Sequence, residues 1–189
     1  MIDSEREQEI VSLIKSGDGR AARRLYDAYA GYLTGVCARY ICDDDSLKDV
    51  LQESFIRIFG SLDRFSYNGP GSLKAYVTKV TVNQSLKFLR ETCRINFVSI
   101  DDVQPEIPAV EEVNEISEKD IISMIRELPP GYRMIFNLYV FEKKSHREIA
   151  KLLGIKESTS ASQFHRAKRL LARKIKEFTS QNNSIRHER

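Results

Sequence analysis

"SHREIAKLLGIKESTSASQFHRAKRLL", residues 145–171, is two short amphipathic stretches hinged at a glycine. Ser145 and Glu148 stand at capping-box spacing, so a helix starts there. Ile149, Leu152 and Leu153 fall on its inner side, and Gly154 supplies the left-handed residue that a tight turn between two helices needs. A second helix is expected from about Ser158. Ser160, Phe164, Ala167 and Leu171 recur at core spacing along it, which turns Ser162, His165, Arg166, Arg169 and Arg173 to the other side, where a DNA major groove would meet them. The first turns, from Ser158 and Thr159 onward, offer hydroxyls, an imidazole and a guanidinium to base edges or phosphates. The plainer reading is a helix-turn-helix that only packs against protein.

The charge balance outside the motif favours a polyanion partner. The formal net charge of +3 over 189 residues hides a polarised chain: 14 basic and 13 acidic residues in 1–96, one and eight in 97–120, 15 and six in 121–189. Lysines and arginines that displace condensed counterions supply sequence-independent affinity for nucleic acid; a solvated basic face is the alternative. The length suits two small domains. No run approaches the roughly 18 apolar residues that cross a bilayer, and "MIDSEREQEIVSLIK" has acids where a signal peptide has bases, so a cytoplasmic protein without direct membrane insertion is expected. Cys37, Cys42 and Cys93 form neither a zinc pattern nor a disulfide framework and read as core filler.

Four helices are expected before residue 97. Ser4 and Glu7 form a capping box for a short first one, with Ile10, Leu13 and Ile14 as its apolar stripe. Leu25, Tyr29, Leu33, Val36 and Tyr40 keep one buried face through a long second helix after Asp18. The acids at 43–45 cap a third, whose Leu47, Leu51, Phe55 and Ile58 face inward while Asp49, Gln52, Glu53 and an exposed Ile56 do not. "DRFSYNGPG" is a loop holding Phe65 and Tyr67. "SLKAYVTKVTVNQSLKFLRE" is β-branched enough for a strand, yet Leu73, Tyr76, Val77 and Val80 fit a helix, and its helical neighbours decide for one whose polar side carries Lys79, Asn83, Lys87 and Arg90. Loop aromatics followed by Lys79, Lys87, Arg90 and Arg94 suit unstacked single-stranded bases; plugging a small core is the competing role for such aromatics.

Residues 97–120 read as an acidic linker, residues 121–178 as a second helical domain with Ile135, Leu138 and Tyr139 inward, and 179–189 as a frayed polar tail. Nothing supplies paired carboxylates beside a histidine, a nucleophile elbow, a glycine-rich phosphate loop or metal-ligand spacing. No catalytic residue, metal, cofactor or small-molecule substrate is therefore expected, and the chain is read as a non-enzyme.

"DVLQESFIRIF" and "GSLKAYVTKVTVNQSLKFLR", followed by "LPPGYRMIFNLYVFEKKSHREIAKLLGIKESTSASQFHRAKRLL", resemble the extracytoplasmic-function (ECF) sigma factors of bacterial RNA polymerase, from about residue 20 to 175 and in that family's order. The resemblance implies an all-α fold of two helical domains, region 2 (1–96) and region 4 with its helix-turn-helix (121–178), joined by the acidic linker. It implies core RNA polymerase binding at Asp49, Gln52, Glu53, Ile56 and Arg57. It further implies minus-10 promoter DNA capture by the loop and the following helix, at Phe65, Tyr67, Asn68, Ser72, Lys79, Asn83 and Lys87. Reading of the minus-35 element falls to Ser158, Thr159, Ser162, His165, Arg166 and Arg169. An anti-sigma factor is the implied regulatory partner. The family's usual tryptophan is Tyr76 here, and positions that are often basic hold Ala161 and Gln163, so minus-35 preference is expected to reside in Ala161, Gln163 and His165. The linker either threads the polymerase cleft or is a plain tether. A stand-alone helix-turn-helix regulator with an N-terminal dimerisation or sensing domain is the competing function, and an adaptor that binds polymerase without reading DNA is a third.

Overall fold

Asp18 starts the helix on which the N-terminal half is built, its carboxylate accepting the N–H groups of Arg20 and Ala21 at 2.8 and 3.4 Å. The computed structural model describes residues 4–92 and 116–187, with side chains from 6–92 and 116–180. Cys93, Arg94 and the acidic segment 97–115 lie outside the described residues. The chain divides into two compact units, Met1–Thr92 and Cys93–Arg189. Each is helical, and no strand occurs among the described residues.

The N-terminal unit holds α1 (Ser4–Lys15), α2 (Gly19–Ala38), α3 (Asp44–Ser61) and α4 (Ser72–Thr92), with a short 3-10 turn at Leu62–Arg64. Leu25, Tyr29, Leu33 and Val36 of α2 and the following Tyr40 are all buried, as their spacing requires. Asp43 caps α3 by accepting the Ser46 N–H at 2.8 Å, and Leu47, Val50, Phe55 and Ile58 face the core. The β-branched run in α4 is helical, and Thr81 and Ser85, both buried within it, turn their hydroxyls back to the carbonyls of Val77 and Thr81 at 2.9 and 3.0 Å. Such back-bonding lets polar side chains enter a helical core without orphaned groups.

Two expectations for this unit are corrected. Glu7 does not cap α1, its own helix: Ser4 is already helical, and Glu7 is 3 % exposed, its carboxylate turned inward. Cysteine behaviour splits by position. Cys37 is buried, and burial pushes its thiol up to about 11, whereas Cys42, between α2 and α3, is exposed rather than filler.

The C-terminal unit comprises α5 (Glu118–Arg126), α6 (Pro130–Val140), α7 (His146–Leu153) and α8 (Glu157–His187). Ser117 caps α5 by accepting the Asp120 N–H at 3.2 Å, so ordered helix begins inside the stretch read as linker. The helix α8 likewise continues through most of the stretch read as a frayed tail. Met124, Ile125 and Leu128 pack on Ala167 and Leu171, and the buried Arg133 guanidinium donates to the carbonyls of Arg126 and Leu128 at the end of α5. A cation on those carbonyls satisfies acceptors that the helix leaves open and complements its dipole. Ile135 and Leu138 are buried as expected, but Tyr139 is exposed over more than a third of its surface.

The helix-turn-helix forms as its sequence dictates. Ser145 and Glu148 make both capping-box bonds, at 3.3 and 2.8 Å, and Gly154 adopts φ 69°, ψ 34°. No atom lies within 4 Å of a Cβ added at Gly154, so Gly154→Ala is expected to cost the left-handed penalty of about 1–2 kcal/mol without a steric clash. Leu25→Ala, by emptying a fully buried site, is expected to cost about 2–5 kcal/mol. Urea denaturation of each variant against the wild type checks both.

Candidate nucleic-acid interface

On α3, Asp49, Gln52, Glu53, Ile56 and Arg57 share the solvent side, as expected. Ile56 is 58 % exposed, and the Glu53 carboxylate accepts from Arg57 Nε at 3.0 Å beside it. A single exposed isoleucine is ordinary on a protein surface; what marks Ile56 is that it continues into a larger apolar surface. It lies on an apolar groove lined by Tyr26, Lys48, Leu51, Gln52, Phe55 and Phe59. Tyr26, itself largely exposed, was not among the expected residues; the signal was a large aromatic off the buried stripe of α2.

The loop after α3 brings together only part of its expected set. Phe65 is a correction. It is 9 % exposed and packs on Tyr76, ring centroids 4.7 Å apart, so it plugs the core rather than waiting for a base. A phenylalanine at the end of a tight turn has no polar tip to keep it in water, and the neighbouring tyrosine ring takes it in. Tyr67 is half-buried and Asn68 exposed. The Asn68 N–H donates to Ser72 Oγ at 3.3 Å, which employs the Ser72 hydroxyl within the loop. From α4, Lys79, Asn83 and Lys87 project to solvent at four-residue spacing, one above another on one side of the helix.

On α8 the exposed arc is rotated from the expected one. Ser158, Ala161 and Lys168 are exposed, and Ser162, His165, Arg166 and Arg169 are all half-buried beside them. Thr159 is 4 % exposed and Gln163 3 % exposed, so neither can meet a groove, contrary to the roles expected of them. Phe164, expected in the core, is only half-buried, with a tilted ring contact to Tyr139 at 4.3 Å and a stacked one to Phe136 at 5.9 Å. Phe136 and Tyr139 of α6 take one side of Phe164, while Thr159 and Gln163 face the core. Lys168 Nζ sits 5.1 Å from the Phe164 ring, close enough for a cation–π contact. Among the described residues no group of three or more His, Cys, Asp or Glu could hold a metal ion, and no helix is long and apolar enough to cross a membrane.

Residues 25–95 match the family described as Sigma-70 region 2, and residues 118–171 match Sigma-70, region 4. The ECF RNA polymerase sigma-E factor of Haemophilus influenzae is 25 % identical over 182 residues, covering 89 % of this chain and 95 % of that protein. The ECF RNA polymerase sigma factor SigE of Mycolicibacterium smegmatis is 31 % identical over 130 residues, 66 % of this chain and 49 % of that one. This chain belongs to the ECF sigma factors of the sigma-70 family. Its function is promoter recognition for RNA polymerase. The solved structure of CnrH, in complex with the cytosolic domain of CnrY, has the same fold at a TM-score of 0.50 and 17 % identity, covering 90 % of this chain and 97 % of that one. A stand-alone regulator is not favoured, because this sigma factor carries a region 2 where such a regulator would carry a dimerisation or sensing module.

Within region 4, His146 joins the two helices of the motif. Its ring stacks on Tyr139 at 4.7 Å, and its Nδ1 lies 3.0 Å from the Ser160 hydroxyl. Desolvation lowers its pKa from the ordinary 6.5, with Glu157 opposing the shift and Lys168 adding to it. The folded state therefore holds the neutral ring, and unfolding takes up a proton below the ordinary value. Stability of region 4 is expected to be intact above about pH 6.5 and to fall as the pH drops through that value. His146→Gln should flatten this slope, as read from melting temperatures between about pH 5.5 and about pH 8.

Proposed function

We propose that the sigma factor docks core RNA polymerase through the solvent side of α3, captures a base of the minus-10 element in the loop before α4, and reads the minus-35 element with the outer arc of α8. It performs no bond chemistry, uses no cofactor and works in the cytoplasm. The division follows the domains read from sequence: region 2 in 1–96, region 4 in 121–178, and between them the acidic linker.

The observation that carries the docking is Ile56, an aliphatic side chain 58 % open to solvent, with Gln52 beside it, the Glu53–Arg57 ion pair on one side and the Tyr26 groove on the other. A buried apolar anchor inside a polar rim is how small protein interfaces concentrate their affinity. Tyr26, Lys48 and Phe59 extend the docking surface beyond the five residues expected from sequence.

In the minus-10 role, Tyr67 and Asn68 are the side chains left to meet an unstacked base, while Lys79, Asn83 and Lys87 line the path of the strand. A flipped base held by stacking and hydrogen bonds offsets the few kcal/mol lost on unstacking. In the minus-35 role, Ser158, Ala161, His165 and Lys168 face the bases, with Ser162, Arg166 and Arg169 toward the phosphates. The partner expected to hold the factor inactive is an anti-sigma factor. The structure of CnrH with the cytosolic domain of CnrY shows one member of this fold class in a protein complex.

Ile56→Ala, and Gln52 and Glu53 replaced together by alanine, are expected to weaken core polymerase binding about tenfold or more without changing the melting temperature. A pull-down or fluorescence titration with core enzyme measures this; unchanged binding would remove α3 from the interface. On α8, His165→Ala and Ala161→Arg are expected to change the preferred minus-35 sequence, and Arg166→Ala to weaken all sequences alike. Transcription from a genomic fragment library with mapped start sites compares them. Tight footprinting by the isolated protein would overturn the sigma reading itself.

A further inference from the structure

The loop proposed to capture the minus-10 base has both its ends held by α1, a helix that lies before the residues matched as region 2. At its start, Lys15 Nζ donates to the Phe65 carbonyl at 2.8 Å. At its end, the Gly71 N–H donates to Glu7 Oε2 at 3.0 Å. The other carboxylate oxygen, Oε1, accepts the buried Tyr29 hydroxyl at 3.3 Å, which ties Glu7 to α2.

The placement of Glu7 is costly unless it has a purpose. A carboxylate 3 % exposed needs donors on both oxygens, and here one donor is a backbone N–H at the start of α4. That helix has no acid in its own first turn, so Glu7 acts as its negative cap from a distance. Gly71 has φ +80°, a conformation in which the N–H can reach back to α1 while the carbonyl accepts Ala75 N–H at 2.9 Å. Glu7 and Lys15 are eight residues apart on one rigid helix, about 12 Å along its axis, and so set the distance between the two ends of the loop. Tyr67 and Asn68 lie between those fixed points.

We infer that α1 is a positioning element for promoter opening, with Glu7 and Lys15 holding the capture loop in its receptive shape without touching DNA. The inference rests on the reading of the loop as the base-capturing element. Preorganisation of this kind raises affinity by removing the ordering cost that a loose loop would incur on binding.

The test uses full-length factor with core polymerase and single-stranded oligonucleotides carrying the non-template strand of a mapped promoter, either intact or with one minus-10 base at a time made abasic. Preference for the intact strand over the abasic one reports capture. Lys15→Met and Glu7→Ala are each expected to lower that preference about tenfold, and Glu7→Gln to retain most of it, because the amide oxygen still accepts the Gly71 N–H. Core polymerase affinity should stay unchanged for all three, which a general loss of structure would not allow. Should Glu7→Ala fail to fold, Lys15→Met and Glu7→Gln carry the test. Wild-type preference in Lys15→Met, or equal losses in Glu7→Gln and Glu7→Ala, overturns the inference. Tyr67→Ala and Asn68→Ala separate the two levels: if they lose preference while the α1 variants keep it, only the positioning role fails. If they too keep it, the capture reading fails and the positioning role falls with it.

Discussion

In the N-terminal unit the stripe Leu25, Tyr29, Leu33 and Val36 on α2 is wholly buried, and its burial determines what the rest of the unit can present. The helices α3 and α4 both pack against α2. With Phe55 and Ile58 of α3 committed inward, Gln52, Glu53 and Ile56 have nowhere to lie but solvent. With Val77, Thr81 and Leu86 of α4 committed inward, Lys79, Asn83 and Lys87 project outward. A helix has one period, so a partner-facing side is the remainder after the core has taken its share. The solvent sides of α3 and α4 are consequences of one hydrophobic stripe.

Several polar groups buried in this unit have partners on their own or a neighbouring helix. Tyr29 brings a hydroxyl into the core and meets Glu7, burial and the Glu7 charge raising its pKa well above the ordinary 10.0. Thr81 and Ser85 return their hydroxyls to their own helix. Glu7 is the member of this set that reaches outside the core, to the backbone of the capture loop. Buried charge is expensive enough that its partners are held firmly, and the loop inherits that firmness.

Region 4 obeys the same logic with a different outcome. Phe136, Tyr139, His146 and Phe164 form an aromatic group through which α8 meets α6 and α7. Ser158, Ala161, His165 and Lys168 come to the front, and Thr159 and Gln163 go in. Two departures from the usual basic pattern thereby acquire different meanings. Ala161 is exposed on the outer arc, whereas Gln163 is buried against the core.

The sequence by itself determined the helices, their caps and turns and the two family regions, because those depend on spacing and on local backbone chemistry. Asp18, Asp43, Ser145 and Glu148 cap where their spacing says, and Gly154 turns left-handed where no side chain tolerates it cheaply. The exposed Ile56 was legible for the same reason: it falls off a well-marked stripe. Only the tertiary structure decided which way borderline residues face. Phe65 sinks against Tyr76, eleven residues away, and Phe164, which meets Tyr139 of α6, is only half-buried while Thr159 and Gln163 face inward. Glu7 reads as a local cap for Ser4 but serves Gly71, 64 residues away in sequence. Capping is a bond between neighbours in the chain; rotation and long-range anchoring are set by volume and polarity supplied by distant residues, and helical periodicity carries no record of them.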